Sequence, residues 1–456
     1  MAYCKGCIDK ELKIAELEET VKGLKAQLRY RERKEKEGYF GASTPSSKKP
    51  FKENTSERAQ KKGGGVPGHE GHGRRSHARE TANLVIDADA ADTCPDCGTL
   101  LVDHTVTHRS VIEAAPKEPK KILYYLHHKR CPQCKKTFMA KAPVLPRSLY
   151  GNHLTAQAAV MHFVHGIPMG RICEMTGITI GSLVDLFHRL RRYLDPAMEP
   201  LKKAYRQAAV KHADETGWRN DGQSGYVWLF CTVSLSIFLF RQTRSAVIPK
   251  GVFGDQPLGV LVVDRYGGYN RLRLKIQYCY AHLLRDLEKL AQDFCDDAEV
   301  LSFTGVLIPA LAQAMHLASL DIRDSEYYRR ATKLKKAIMK ACRSPARHLG
   351  IRKFQDIFVT HKDRLFHWVD DRRVPADNNR AERDLRPTVI ARKVSFGSSS
   401  DAGAETRSIL MSVLHTLNKR RGTESLESVF KAILDKIAED PAVDVASLIL
   451  TDEERA

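Results

Sequence analysis

AAVKHADETGW (208–218), GYVWLFCTVS (225–234), LSIFLFRQTRS (235–245) and, after a helix-sized spacer, GVLVVDRYGGYN (259–270) decide the fold. The first three segments follow one another closely and are rich in β-branched and aromatic residues, which is the pattern of strands. The spacer then leads to a fourth strand that ends in Asp264. Three strands, a helix and a fourth strand is the order of an RNase H-like α/β domain. In that order the first and fourth strands are neighbours, so acids near their ends point into one site. Here those acids are Asp214 and Asp264. Glu215 adjoins Asp214 but is sent to the other face by strand alternation.

A third acid is expected from a later helix. In VPADNNRAERDLRPTVIARKVSFGS (374–398), Pro375 and Asp377 mark a helix start and Pro387 marks an end. Asn378, Asn379, Glu382 and Arg386 recur three and four apart and so share a face. Amides, an acid and an arginine on one face suit a site that holds metal and phosphate together. Glu382 is the expected third carboxylate; Asn378, Asn379, Arg383 and Arg386 are the expected phosphate-binding groups. In-line phosphodiester chemistry needs an activated attacking oxygen and a stabilised leaving oxygen. Two Mg²⁺ (or Mn²⁺) ions roughly 4 Å apart supply both, and hard carboxylate oxygens suit them. Asp221 and Asp384 read as surface acids, Trp218 and Trp228 as packing residues, and His212 and His282 either as groups supporting the acids or, as is commoner for a lone histidine, as satisfied structural residues.

The long interval between Asp264 and Glu382 holds amphipathic helical segments, read as an all-helical insertion (281–374) within a catalytic domain spanning 204–400. A helical element, 401–456, follows it. Upstream, 149–203 has the rhythm of a helix-turn-helix. Ile172 and Cys173 lie on a short helix, Gly177 makes the turn, and Val184 faces inward on a second helix with Arg189, Arg191 and Arg192 outside. In 86–148, Cys94-Pro-Asp-Cys97 and Cys131-Pro-Gln-Cys134 supply four thiolates for a tetrahedral structural Zn²⁺, with strand-like segments between them, as in a zinc ribbon. Residues 38–85 are a basic Gly/Ser/Pro-rich linker. In 1–37, Ile14, Leu17, Val21, Leu24 and Leu28 form a short seam that fits a dimerising zipper and fits equally a solvated arm. The predicted fold class is multidomain α+β.

Composition points the same way. The 456 residues carry 74 Lys and Arg against 55 Asp and Glu, a formal charge of +19, which calls for a polyanionic partner. No apolar run of membrane-spanning length and no secretory signal are evident, which favours an intracellular protein acting on nucleic acid over a membrane protein. The 11 cysteines include three Cys-x-x-Cys pairs, a pattern of metal ligation more than of disulfides; Cys4 and Cys7 have no second pair nearby.

His212-Ala213-Asp214-Glu215-Thr216-x-Trp218, Cys279-Tyr280-Ala281-His282, Asp377-Asn378-Asn379-x-Ala381-Glu382-Arg383-x-Leu385-Arg386-Pro387 and Ser400-Asp401-Ala402-Gly403-Ala404 together resemble the transposases of the insertion-sequence-66 family. The resemblance covers nearly the whole chain. It implies a DDE transposase with Asp214, Asp264 and Glu382 as its triad, cleaving and joining the ends of its own element. It also implies double-stranded DNA partners (terminal inverted repeats and target), a homo-oligomer, accessory proteins encoded by the same element, and a place at the bacterial nucleoid in the cytoplasm. The alternatives are a repurposed or inactive copy that only binds DNA, and an RNase H-like nuclease. Cys94, Cys97, Cys131 and Cys134 are expected to hold one Zn²⁺ per chain at about 2.3 Å. Metal analysis should find that ion lost when any one of them is changed to Ser, with the catalytic domain still folded.

Overall fold

The computed structural model describes residues 13–25, 99, 121–130, 132, 133, 137–139, 141–254 and 258–455. The chain divides into two compact units, Met1–Glu118 and Pro119–Ala456. In the first, residues 13–25 are helical (α1), and Ile14, Leu17, Val21 and Leu24 are exposed along it. Leu28, the linker and Cys94, Cys97, Cys131 and Cys134 lie outside the described residues. In the second unit β1 (His128–Arg130) pairs antiparallel with β2 (Thr137–Met139), on either side of residues 131–136.

The centre of the second unit is a mixed sheet. β3 (Val210–Asn220), β4 (Gln223–Cys231), β5 (Ser236–Arg241), β6 (Val260–Val263) and β7 (Lys275–Tyr278) lie in the order β5-β4-β3-β6-β7. The β3–β4 turn is closed by the pair Asn220 and Gln223, with Asp221 (φ 49°) and Gly222 (φ 72°) left-handed between them. Two left-handed residues make the type I′ turn whose twist matches antiparallel strands. β6 instead enters parallel to β3, pairing Val210 with Val260, Lys211 with Leu261 and His212 with Val262. Gly259 makes this entry possible. Its φ is +78°, and a Cβ there would overlap the Ala209 carbonyl oxygen and approach that of Ala208 to 2.8 Å.

Helices cover both faces. Before the sheet come α2 (Asn152–Phe163), α3 (Met169–Thr176), α4 (Ile180–Leu194) and α5 (Met198–Gln207), and α6 (Val247–Phe253) joins β5 to β6. After β7 the chain is helical through α7 (Tyr280–Asp293), α8 (Ala298–Leu317), α9 (Asp324–Arg343), α10 (Leu349–Thr360) and α11 (His367–Asp370). It then returns to the sheet as α12 (Asn379–Ser395), α13 (Asp401–Arg420), α14 (Leu426–Glu439), α15 (Val445–Ile449) and α16 (Asp452–Arg455). On one face α12 packs over β3 and β4, while α13 lies along the edge strand β5. On the other, Trp228 and Phe230 of β4 meet Tyr205 of α5, Phe253 of α6 and Tyr269.

Several sequence expectations need correcting. Helix α13 is buried without a break from Thr406 to Leu417 among β5, α2, α4 and α14. A helix buried all round is the middle of a core. The breaks before α3 and α4 fall as expected, with Gly177 left-handed at φ 70°. The inward face of α4 is Leu183, Leu186, Phe187 and Leu190, whereas Val184 is only half-buried. Pro387 does not end α12, which runs on to Ser395 because Leu385, Thr388 and Ala391 are buried on either side of it. α8 is long and apolar enough to cross a membrane by length and composition alone, with mean hydropathy 1.6, although no such run was expected. Val300, Leu307, Leu311 and Ala314 are buried along it, and it packs between α7 and α9.

Gly259→Ala should destabilise the protein by about 3 kcal/mol or more, since it meets fixed backbone at positive φ. Gly251→Ala in α6, where an added Cβ has open space, should change stability by less than about 1 kcal/mol. Chemical denaturation of the two variants checks the contrast; equal stability would mean that the β3–β6 entry does not depend on the glycine.

Candidate active site

The parallel pairing of β3 with β6 sets the first two acids. Carrying the same offset two residues beyond His212 and Val262 makes Asp214 level with Asp264. Asp264 is the residue immediately after β6, and its charge acts on Asp214. Asp214 Oδ1 accepts from the backbone N–H of Glu215 at 2.9 Å, and Asp264 Oδ1 accepts from that of Tyr266 at 2.9 Å. Glu382 lies in the first turn of α12, where it pairs with Arg285 of α7 at 3.1 Å. The three acids feel one another. Burial chiefly, then Glu215, and then the charges of Asp264 and Glu382 push the Asp214 carboxyl up to about 8, against the opposing Glu215 N–H.

A network behind the acids holds α12 to β3. Asn378 is buried; its Oδ1 accepts from His212 Nδ1 at 2.9 Å and its Nδ2 donates to the Ala213 carbonyl at 2.9 Å. This corrects the expectation that Asn378 faces phosphate, because its amide is already spent inside the protein. It precedes the helix, so the face inferred from four-residue spacing does not extend back to it. Asn379, Arg383 and Arg386 are exposed. Burial lowers His212 to about 4, outweighing the opposite effect of its bond to Asn378, so the ring is neutral and donates from Nδ1. Farther along α12, Arg392 Nη1 donates to Thr216 Oγ1 at 3.1 Å and to the Gly217 carbonyl at 2.7 Å. Asp384 is no bystander at the surface: it pairs with Lys419 of α13 at 2.5 Å.

Glu215 is the residue whose importance alternation conceals. Its side chain is 1% exposed, bound by Arg244 at 2.5 Å and by the Tyr269 hydroxyl at 2.6 Å. Burial raises its carboxyl, while these two donors act in the opposite direction. It stands on the far face from Asp214 but contributes to the same electrostatic field. Arg244, Tyr269 and Arg285 were not anticipated. Only Arg285 carried a usable signal, falling three residues after His282 on the face that α7 turns to Glu382. Trp218 and Trp228 are buried packing residues, as expected.

The family model described as Transposase IS66 family matches residues 147–406. The chain belongs to this transposase family. No curated protein matches it. The match runs from the start of the helical region before α2 into α13, and so contains the whole sheet, all three acids and the helical segment between β7 and α12. It leaves the segments with Cys94, Cys97, Cys131 and Cys134 unmatched. Only Arg285 pairs directly with one of the three acids among the described residues, so like charge accumulates around Asp214.

In the metal-free protein the raised Asp214 group stabilises the fold below its unfolded value near 4, and that contribution is lost as pH rises through about 8. Asp214→Asn should therefore raise the melting temperature at pH 8 in the presence of chelator by about 5 °C, and by much less at pH 5. Thermal unfolding at the two pH values tests this; an equal shift at both would show that Asp214 does not titrate as described.

Proposed function

We propose that the chain is a DDE transposase whose Asp214, Asp264 and Glu382 hold a pair of Mg²⁺ or Mn²⁺ ions and cut and rejoin DNA at the ends of its own element. The observation carrying this reading is that Asp264, just after β6, and Glu382 of α12 both act on Asp214 of β3, adding to the larger effects of burial and Glu215 that raise its carboxyl to about 8. Support also comes from the strand order, with its antiparallel meander and parallel fourth and fifth strands, the arrangement of RNase H-like domains. When bound, the divalent ions supply Lewis-acid stabilisation of the attacking and leaving oxygens. The chain's own residues do the rest. Asn378 and His212 fix the start of α12 so that Glu382 keeps its position over Asp214. Arg285 holds the Glu382 carboxylate before substrate arrives, and the exposed Arg383 and Arg386 offer charge to backbone phosphate. Asn379, exposed at the first turn, is a further phosphate contact.

Double-stranded DNA is the substrate in this reading, both as terminal inverted repeats and as target, and the surplus of 74 basic over 55 acidic residues supplies its non-specific attraction. The zinc ribbon, the linker and the α3–α4 pair add contacts upstream, and α1 joins two chains. The protein acts at the nucleoid in the cytoplasm, together with proteins encoded by the same element. The decisive experiment is cleavage and joining of labelled element ends in Mg²⁺. Asp214→Asn, Asp264→Asn and Glu382→Gln should each lower the rate by about a thousandfold or more while DNA binding survives. Binding should weaken steeply with salt in all of them. DNA binding without cutting by the unmodified chain would make it a repurposed DNA-binding protein. Cutting without joining would make it a nuclease.

A further inference from the structure

Cys279, His282 and Glu382 each bring one ligand atom within 4.8 Å of the other two. Cys279 is the N-cap of α7 and His282 belongs to that helix's first turn, so the two share one face; Glu382 approaches from the first turn of α12. Two features set this cluster apart from an accidental one. His282 Nδ1 is a buried nitrogen with no hydrogen-bond partner, an arrangement that native proteins rarely leave unexplained. Cys279 Sγ is surrounded by donors. It accepts from the Asn378 N–H at 3.1 Å; burial pushes the thiol up to about 11, and the N–H groups of Asn378, Ala281 and His282 act in the opposite direction. Peptide N–H groups converging on sulfur are the surroundings that support a metal-bound thiolate.

We propose that Cys279, His282 and Glu382 form a second cation site, selective for a borderline-soft ion such as Zn²⁺, which shares Glu382 with the proposed triad but does not use Asp214 or Asp264. Sulfur, imidazole nitrogen and carboxylate oxygen are the donor types that Zn²⁺ prefers and Mg²⁺ does not. In a tetrahedral site the donors stand roughly 3.5 Å apart, which small side-chain rotations reach from the present spacing. Three protein donors leave a fourth position for water, and binding sends the Cys279 thiol proton to solvent. The cation ties the end of β7 and the start of α7 to the first turn of α12. Arg285 already pairs with the Glu382 carboxylate, and the cation would hold the same side chain from a second direction. The site concerns metal content, so it stands or falls without reference to DNA cleavage.

The test uses the full chain, dialysed to equilibrium against buffered Zn²⁺ and analysed for zinc per polypeptide. Cys279→Ser and His282→Ala should each hold one zinc fewer than the unmodified chain, and His282→Cys, which restores a soft donor, should recover it. With the remaining zinc sites filled, added Co²⁺ should give a thiolate-to-cobalt charge-transfer band that Cys279→Ser abolishes. Equal zinc counts in all four proteins would overturn the site. If the variants do not fold, hydrogen exchange of the unmodified chain decides: Zn²⁺ should slow exchange in the first turns of α7 and α12, and unchanged exchange there would overturn the proposal.

Discussion

The parallel contact between β3 and β6 is the constraint on which the rest of the second unit depends. Gly259 lets the chain pass close against Ala208 and Ala209, and Val260 then donates to the Ala209 carbonyl at 2.9 Å. From there the register is fixed, and register decides parity. A slip of one residue would put Asp264 on the opposite face from Asp214. The aromatic packing of Trp228, Phe230, Tyr205 and Phe253 covers the face that Glu215 enters, leaving the Asp214 face for α12.

The edge of the sheet is fixed by α13 with the same economy. The N–H groups of Ser236, Phe238 and Phe240 donate to Thr416, Ser412 and Ser408 side-chain oxygens at 3.0, 2.8 and 3.0 Å. Four residues of helix rise about 6 Å and two residues of strand about 6.6 Å, so alternate strand amides meet a hydroxyl at every helical turn. The edge strand is thereby closed without another strand. Lys419, on the same helix, pairs with Asp384 of α12 and donates to the Thr232 and Leu235 carbonyls at 2.9 and 2.8 Å. The helix bearing Glu382 is thus anchored to β3 at its start and to α13 through Asp384.

Electrostatics explains why the arrangement is suited to a cation. Asp214 carries the combined effect of burial and three acidic neighbours, whereas Arg244 and Arg285 are each engaged by a carboxylate at the rim. His212 is kept neutral by burial and so adds no positive charge of its own. A buried carboxyl with acidic neighbours is costly to ionise, which is why the Asp214 group is raised. This is the physical basis on which the proposed phosphoryl-transfer chemistry rests.

Sequence by itself determined the elements that depend on local periodicity and on turn chemistry. The hydrophobic strands, the Asp221-Gly222 turn, the breaks around Gly166 and Gly177 and the helical run after Asp264 are all written in neighbouring residues. It also singled out Asp214, Asp264 and Glu382, because acids at strand ends and within an amide-rich helix start are chemically conspicuous. Tertiary structure decided what those local signals cannot carry. Asn378 turned inward because His212 and the Ala213 carbonyl, far away in sequence, bind its amide. Pro387 failed to stop α12 because burial on both sides outweighed the missing N–H. Glu215, Arg244 and Arg285 acquired their places through contacts between elements, and α13 joined the sheet through hydroxyls spaced to match a distant strand. Spacing along a chain specifies which face a residue occupies; only packing specifies what that face meets.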